Sequence, residues 1–245
     1  MNSLKQQTLK SVRWTSFHAI VRGAMGPLTL IFKSRFLNPE EFAYLSIILI
    51  VIGLFRLLEN FGISQAIIQK DVISKEANST IFLFNIVFNT FLALIVFFNA
   101  GFIDQFYSMP KLEYYLQLVS IIVLINGPSL LFRAHLEKEL HFKQLAIIDI
   151  IVSIINFIVL ILLLYFNYGV LAVVYSSILS TFFTSMSIII YSNIIIPIKL
   201  NFYFRFSILR SFLRFGAFVS GKQLLTFTAE RLDELVIGYF LTPEI

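Results

Sequence analysis

The chain has no cysteine and few charged residues for its length of 245. The missing thiols exclude disulfides, thiolate metal sites and cysteine nucleophiles. Charged residues make up 13% of the sequence, about half of the roughly 25% that is usual in soluble domains. Hydrophobic residues make up 58%, so a globule of this composition could not cover its surface with polar groups. We therefore expect the surroundings of the chain to be mostly lipid.

Motifs for catalysis and for nucleotide or metal binding are also missing. The sequence has no P-loop, no zinc-protease motif and no nucleophile elbow. Its three histidines, His18, His135 and His141, lack metal-ligand spacing to nearby carboxylates. The basic residues behind the net charge of +5 are scattered between apolar runs, which argues against a nucleic acid partner. We predict a protein without enzymatic activity, metal or cofactor.

The sequence does contain a series of apolar runs about 20 residues long, the length at which a helix crosses a bilayer. No charged residue occurs between Asp149 and Lys199, and Asn167-Tyr168-Gly169 divides this long stretch into a hairpin of two spans. The predicted segments cover about 11–33, 42–63, 79–101, 114–132, the two halves of 150–198, and 212–241. These runs predict an all-α integral membrane protein, with six helices over 1–205 and one further helix over 206–245.

Two short motifs predict where helices begin and bend. In Asn38-Pro39-Glu40-Glu41, asparagine is a good N-cap, proline fits the first helical position, and the glutamates favour the positive end of the helix dipole. Asn126-Gly127-Pro128 lies inside the fourth apolar run, where proline and glycine predict a kink that neighbouring helices must accommodate.

Basic residues are distributed unevenly between the two sides of the predicted membrane. With the N-terminus inside and the segments alternating, twelve Lys and Arg, including Arg133, fall on the cytoplasmic side, and three (Lys33, Arg35 and Lys111) fall outside. Basic residues concentrate on the cytoplasmic side of membrane proteins. We therefore predict a multi-pass protein with a cytoplasmic N-terminus.

A short internal repeat relates the first and seventh segments. At a shift of 204 residues, Phe36-Leu37-Asn38-Pro39-Glu40 aligns with Phe240-Leu241-Thr242-Pro243-Glu244. Repeated six-helix units that meet around a substrate site are a transporter architecture. The repeat therefore predicts a six-helix transporter lobe over 1–205 and the first helix of a second lobe over 206–245. Polar residues at helical spacing follow one face of each segment, and we predict that these two stripes face each other across that site. They are His18, Arg22, Thr29 and Lys33 in the first segment, and Lys222, Thr226, Glu230 and Asp233 in the seventh.

Arginines within predicted spans need a counter-charge or a polar cavity, because a charge at the bilayer centre costs about 2.5–3.5 kcal/mol on insertion scales. Arg56 has Glu59 three residues later on the same helix, which predicts a structural ion pair. Arg22 has no acid on its own helix. An ion pair with another helix and a phosphate contact are both open for Arg22. A guanidinium suits phosphate because it binds two oxygens at once and stays charged.

Four blocks of the sequence carry a resemblance to a known family. They are RFLNPEEF at 35–42, FGISQAIIQK at 61–70, LEKELHFK at 136–143 and LDELVIGYFLTP at 232–243. The chain resembles the polysaccharide-biosynthesis flippases of the Wzx type, above all the WzxC-like exporters. Their superfamily also contains the lipid II flippase and the multidrug (MATE) exporters. Family members are about twice as long, so we expect this sequence to be an N-terminal fragment.

The resemblance implies a function. Flippases of this type export undecaprenyl-diphosphate-linked oligosaccharide across the bacterial cytoplasmic (inner) membrane for cell-surface polysaccharides such as lipopolysaccharide. The implied partners are the lipid-linked oligosaccharide, membrane lipids, and the polysaccharide polymerase and glycosyltransferases. In lipid II relatives, arginines on the first helix line a cationic cavity, and Arg22 is the corresponding residue here.

We therefore predict a substrate cavity that the two polar stripes share. Its residues are Arg22, His18, Thr29, Lys222, Thr226 and Asp233. Two alternatives stay open: a multidrug or cation exporter of the same superfamily, and a nontransporting membrane scaffold. An exporter of cations favours acids within the membrane, whereas the first segment offers only bases on its stripe.

Overall fold

The chain folds into helices joined by short loops. The computed structural model describes the backbone of residues 2–59, 62–70 and 72–240, and the side chains of 14–59, 62–70, 72–218, 220–222 and 225–226. Within these ranges nine helices follow one another. They are α1 (Asn2–Phe36), α2 (Pro39–Glu59), α3 (Ile63–Gln69), α4 (Lys75–Tyr107), α5 (Leu112–Asn126), α6 (Ser129–Lys138), α7 (Phe142–Tyr165), α8 (Val170–Ile195) and α9 (Phe206–Phe240).

Four helical spans and one bent pair are long and apolar enough to cross a membrane. The four spans are α2 with α3, α4, α7 and α8, and the bent pair is α5 with α6. The fold is therefore that of an all-α, multi-pass membrane protein, as predicted.

The first and seventh predicted segments form α1 and α9, each 35 residues long. Such helices extend about 50 Å, but within the described ranges neither reaches the hydropathy of the five spans. Their insertion, which would complete the seven predicted segments, stays a prediction. The division of the chain into two lobes, between residues 205 and 206, also stays a prediction.

The predicted kink lies between α5 and α6. α5 ends at Asn126 and α6 begins at Ser129, and the two axes differ by 48°. Pro128 has no N–H to continue the helical hydrogen bonds. Gly127 allows α4 to approach closely, since a Cβ at this position would lie 2.7 Å from Cβ of Asn89. The kink thus turns α6 toward the helices that surround the site described below.

The predicted hairpin separates α7 from α8. Tyr165 ends α7 and Val170 begins α8. Two residues between them have positive φ, 60° at Asn167 and 54° at Gly169, a conformation that asparagine and glycine adopt more readily than other residues.

Apolar clusters hold the helices together. One joins α2, α4, α5, α7 and α8 and includes the buried side chains of Ile48 and Leu116. Another joins α3, α4, α6 and the start of α9, and includes Ile67 and Phe212. Helix α1 packs against α7, which in turn packs against α8. Six of the helices thereby enclose a polar space.

Candidate substrate cavity

A cavity of about 510 Å³ lies between α1, α2, α5, α6, α7 and α8. Its apolar lining residues are Ile122, Leu130 and Val152, and twelve others are polar or charged. These twelve are His18, Arg22, Arg56, Glu59, Asn126, Arg133, Asp149, Ser153, Asn156, Ser180, Thr181 and Thr184. A cavity of this composition among membrane-spanning helices is suited to a charged or strongly polar ligand.

The depth of the cavity follows from positions along α7 and α8. Asp149 is seven residues after the first residue of α7, and Thr184 is eleven residues before the last residue of α8. At 1.5 Å per residue these side chains lie about 10 and 16 Å from the ends of their helices. In the predicted orientation both ends are cytoplasmic, so the cavity lies in the cytoplasmic half of the membrane.

Arg133 is the centre of an ionic network that joins three helices. Its Nη2 lies 2.9 Å from Asp149 Oδ2 and its Nη1 lies 3.4 Å from Asp149 Oδ1, so the guanidinium binds both carboxylate oxygens. Its Nε donates to Glu137 Oε1 at 3.2 Å. His18 Nε2 lies 3.8 Å from the same Asp149 Oδ2. Residues of α1, α6 and α7 are thus linked around one carboxylate.

Arg22 and Arg56 face the same cavity without such partners. Neither guanidinium forms an ion pair with any carboxylate whose side chain the structure describes. The lining contains three arginines against the two carboxylates of Glu59 and Asp149, a formal charge of +1 with His18 neutral. Because Asp149 is bound to Arg133, the charged lining residues that remain outside this ionic network are Arg22, Arg56 and Glu59.

Glu59 belongs to a separate hydrogen-bonded group. Its side chain is 4% exposed, and its Oε2 accepts a hydrogen bond from Asn126 Nδ2. The hydroxyl of Ser129 donates to the Asn126 backbone carbonyl at 2.8 Å. Arg56 and Glu59 are not within ion-pair distance of each other, because the carboxylate is directed to α5 while Arg56, one turn earlier on α2, is exposed. A structural pairing of these two residues stays a prediction. The two residues still line the same cavity.

The wall formed by α7 and α8 carries hydroxyl and amide groups. Ser153 Oγ donates to the backbone carbonyl of Asp149 at 2.7 Å, and Thr181 Oγ1 donates to that of Ser177 at 2.9 Å. Asn156 Oδ1 is inaccessible and has no hydrogen-bond partner within the described part of the chain. Since each hydroxyl keeps its lone pairs as acceptors, this wall can receive hydrogen bonds from a polar ligand.

The structure brings together only part of the predicted cavity. His18 and Arg22 line it. Thr29 lies two turns further along α1, where its hydroxyl donates to the Met25 carbonyl of the same helix. Lys222 and Thr226 are exposed on α9, outside the lining, and the Thr226 hydroxyl donates to the Lys222 carbonyl at 3.1 Å. The side chain of Asp233 lies outside the described residues. A role for these four residues in substrate binding stays a prediction.

Sequence reasoning missed Arg133 and Asp149 as lining residues. We assigned Arg133 to the cytoplasmic surface, and Asp149 marked only the start of a charge-free stretch. A signal was present, since Asp149 is the only acidic residue between Glu139 and Glu230 and lies two turns inside α7. A lone carboxylate at that depth in a span requires a basic partner on another helix.

Comparison with known proteins agrees with this architecture. The sequence pattern of the polysaccharide biosynthesis protein family matches residues 33–245. The chain belongs to this family. The predicted resemblance to Wzx-type polysaccharide-biosynthesis proteins is thereby confirmed. No solved structure matches the chain significantly.

Three proteins with related functions or names are similar to parts or all of this chain. An uncharacterized membrane protein in the cps region of Klebsiella pneumoniae is 31% identical over 147 residues, which cover 60% of this chain and 30% of that protein. The lipopolysaccharide biosynthesis protein WzxC of Escherichia coli (strain K12) is 24% identical over 147 residues, with the same coverage of 60% and 30%. The teichuronic acid biosynthesis protein TuaB of Bacillus subtilis (strain 168) is 23% identical over 244 residues, 100% of this chain and 50% of TuaB. The matches therefore cover half or less of each relative's own length.

Proposed function

We propose that this polysaccharide biosynthesis protein takes part in flipping a diphosphate-linked lipid oligosaccharide from the cytoplasmic to the outer leaflet of the bacterial cytoplasmic membrane. The observation that carries the proposal is the pair of arginines, Arg22 and Arg56, that face a membrane-enclosed cavity without carboxylate partners among the described side chains. Each guanidinium can bind two phosphate oxygens at once.

The remainder of the cavity supports a sugar phosphate in preference to a simple anion. The lining also contains the hydroxyl groups of Ser153 and Thr181 and the amide of Asn156, and such groups exchange hydrogen bonds with sugar hydroxyls. In the predicted orientation the cavity lies in the cytoplasmic half of the membrane, where a lipid-linked sugar made in the cytoplasm would enter. Two arginines without an ion-pair partner among the described side chains disfavour a cation as the cargo. The oligosaccharide, the polymerase and the glycosyltransferases are the partners that this proposal implies.

The test is an exchange of Arg22 at the chromosomal locus, so that the protein is studied at its natural length and abundance. Arg22→Ala should abolish or strongly reduce surface polysaccharide, and lipid-linked oligosaccharide should accumulate inside the cell. Arg22→Lys should restore part of the export, because the charge is kept but the two-oxygen geometry is lost. Surface polysaccharide and the membrane level of the protein are measured in each strain.

Arg35→Ala is the matched control, because Arg35 carries the same charge on the same helix but lies outside the cavity. Export by this strain should equal that of the parent. Normal export by Arg22→Ala at parental protein level would contradict the proposed function. It would favour a nontransporting scaffold, whose role does not depend on the charge of Arg22.

A further inference from the structure

Arg133 differs from the other two arginines of the cavity, because a carboxylate of the protein already occupies the edge that a ligand would use. Both terminal nitrogens of Arg133 contact the two oxygens of Asp149, at 2.9 and 3.4 Å. Two oxygens held side by side on a guanidinium are also how arginine binds phosphate. The Asp149 carboxylate therefore occupies the position that two phosphate oxygens would take.

Neutralising Arg133 does not require Asp149. Glu137 lies one turn later on α6 and accepts from Nε of Arg133 at 3.2 Å, so this arginine has a counter-charge on its own helix. Asp149 is brought in from α7, where it is the only acidic residue. A buried structural pair would explain Asp149 if it were sealed from the cavity. Its side chain is 17% exposed, that of Arg133 is 35% exposed, and both line the cavity.

On the basis of the proposed function, we infer that Asp149 is an internal counter-anion, which occupies Arg133 in the empty cavity and is displaced when the diphosphate of the lipid-linked substrate binds. Arg133 then becomes a third arginine for the ligand, beside Arg22 and Arg56. His18 Nε2, 3.8 Å from Asp149, remains next to the displaced carboxylate. Competition of this kind raises the apparent Kd of the ligand, in inverse proportion to the fraction of time for which Arg133 is free.

The displacement also connects ligand binding to the packing of helices. The Arg133 to Asp149 contact joins α6 to α7, and the His18 to Asp149 contact joins α1 to α7. When phosphate oxygens replace the carboxylate, the ionic link between α6 and α7 is broken while α6 remains bound to the ligand. Ligand binding thus favours a different arrangement of α7 relative to α6. A ligand shifts a protein toward the arrangement that it binds more tightly.

The test measures binding of farnesyl diphosphate to the purified 245-residue chain in detergent by calorimetry, with farnesol as the control for the lipid tail. Asp149→Asn should lower Kd about tenfold, because Arg133 no longer needs to be released. Glu59→Gln removes one negative charge from the same cavity but leaves the Arg133 pair intact. If release of Arg133 is the cause, Glu59→Gln should lower Kd clearly less than Asp149→Asn does, because it releases no guanidinium from an ion pair.

A double substitution identifies the residue through which Asp149 acts. In an Arg133→Ala background, adding Asp149→Asn should change Kd by less than about twofold, because the two residues are coupled. Size-exclusion profiles and circular dichroism check that each variant is folded, and Asp149→Ser replaces Asp149→Asn if the latter is not.

Each outcome of the calorimetry has a distinct meaning. An unchanged or higher Kd for Asp149→Asn, or a decrease equal to that of Glu59→Gln, would overturn the role of Asp149 while wild-type binding upholds the diphosphate site. Absence of binding by the wild type and by Asp149→Asn alike would overturn both proposals. Binding by the Asp149→Asn variant, but not by the wild type, would uphold the role of Asp149 as a competitor.

Discussion

Asn38 and Glu41 cap the start of α2 reciprocally: the Glu41 backbone N–H donates to Asn38 Oδ1 at 2.8 Å, and the Asn38 backbone N–H donates to Glu41 Oε2 at 2.9 Å. Two N–H groups at the helix start, which have no partner within the helix, are thereby satisfied. This arrangement confirms the start of α2 that the sequence predicts, and it adds a role for Glu41 beyond its charge.

The first prediction concerns this cap. Asn38→Ala removes one of the two hydrogen bonds and should lower the free energy of unfolding by about 1 kcal/mol. The measurement is the thermal unfolding of the purified chain in detergent. Glu40→Ala is the control, since Glu40 lies in the first turn of α2 and is acidic like Glu41, but takes no part in the cap. A loss for Glu40→Ala as large as that for Asn38→Ala would mean that charge, and not the cap, stabilises this helix start.

The second prediction concerns the close approach of α4 and α5. A Cβ at Gly127 would lie 2.7 Å from Cβ of Asn89, and Asn89 Nδ2 donates to the Glu59 backbone carbonyl at 3.3 Å. Gly127→Ala should therefore push the helices apart and destabilise the chain by about 1–3 kcal/mol. Gly221→Ala, where a Cβ meets no atom within 4 Å, should be neutral or slightly stabilising. Equal melting temperatures for the two variants would refute the close contact.

The third prediction concerns orientation, and the absence of cysteine makes it simple to test. A cysteine at Tyr168, in the α7–α8 hairpin, should react with a membrane-impermeant maleimide from outside the cell. A cysteine at Val72, before α4, should react only after the membrane is opened. Both residues are exposed, and neither has the positive φ of Asn167. The reverse labelling pattern would place the N-terminus outside and would move the cavity to the outer half of the membrane.

The fourth prediction separates two roles for Arg56. A structural ion pair with Glu59 would make Arg56→Gln destabilising, whereas the observed geometry leaves Arg56 exposed and Glu59 bonded to Asn126. We expect Arg56→Gln to leave the melting temperature nearly unchanged, because Arg56 forms no ion pair with any carboxylate whose side chain the structure describes. The same substitution should reduce surface polysaccharide as Arg22→Ala does. A marked loss of stability with normal export would support the structural role instead.

Local features of the sequence predicted much of the fold. Lengths of apolar runs predicted the spans because bilayer thickness sets the length of a helix that crosses it. The cap at Asn38, the kink at Pro128 and the hairpin at Gly169 were predictable because each depends on the conformational preferences of a few adjacent residues. Arg22 was found for a similar reason: no acid lies near it on its own helix, so it needed a polar environment.

The partners of charged residues were decided by tertiary structure. Glu59 had Arg56 within reach on its own helix, yet its carboxylate bonds to Asn126, 67 residues away, because helix packing places α5 beside the end of α2. Arg133 was predicted at the cytoplasmic surface, but the 48° bend before α6 directs it to Asp149 of α7. Sequence alone thus determined that this chain is a membrane protein with a basic first helix. Which arginines share a cavity depended on how helices cross, a property of side-chain packing between segments far apart in sequence.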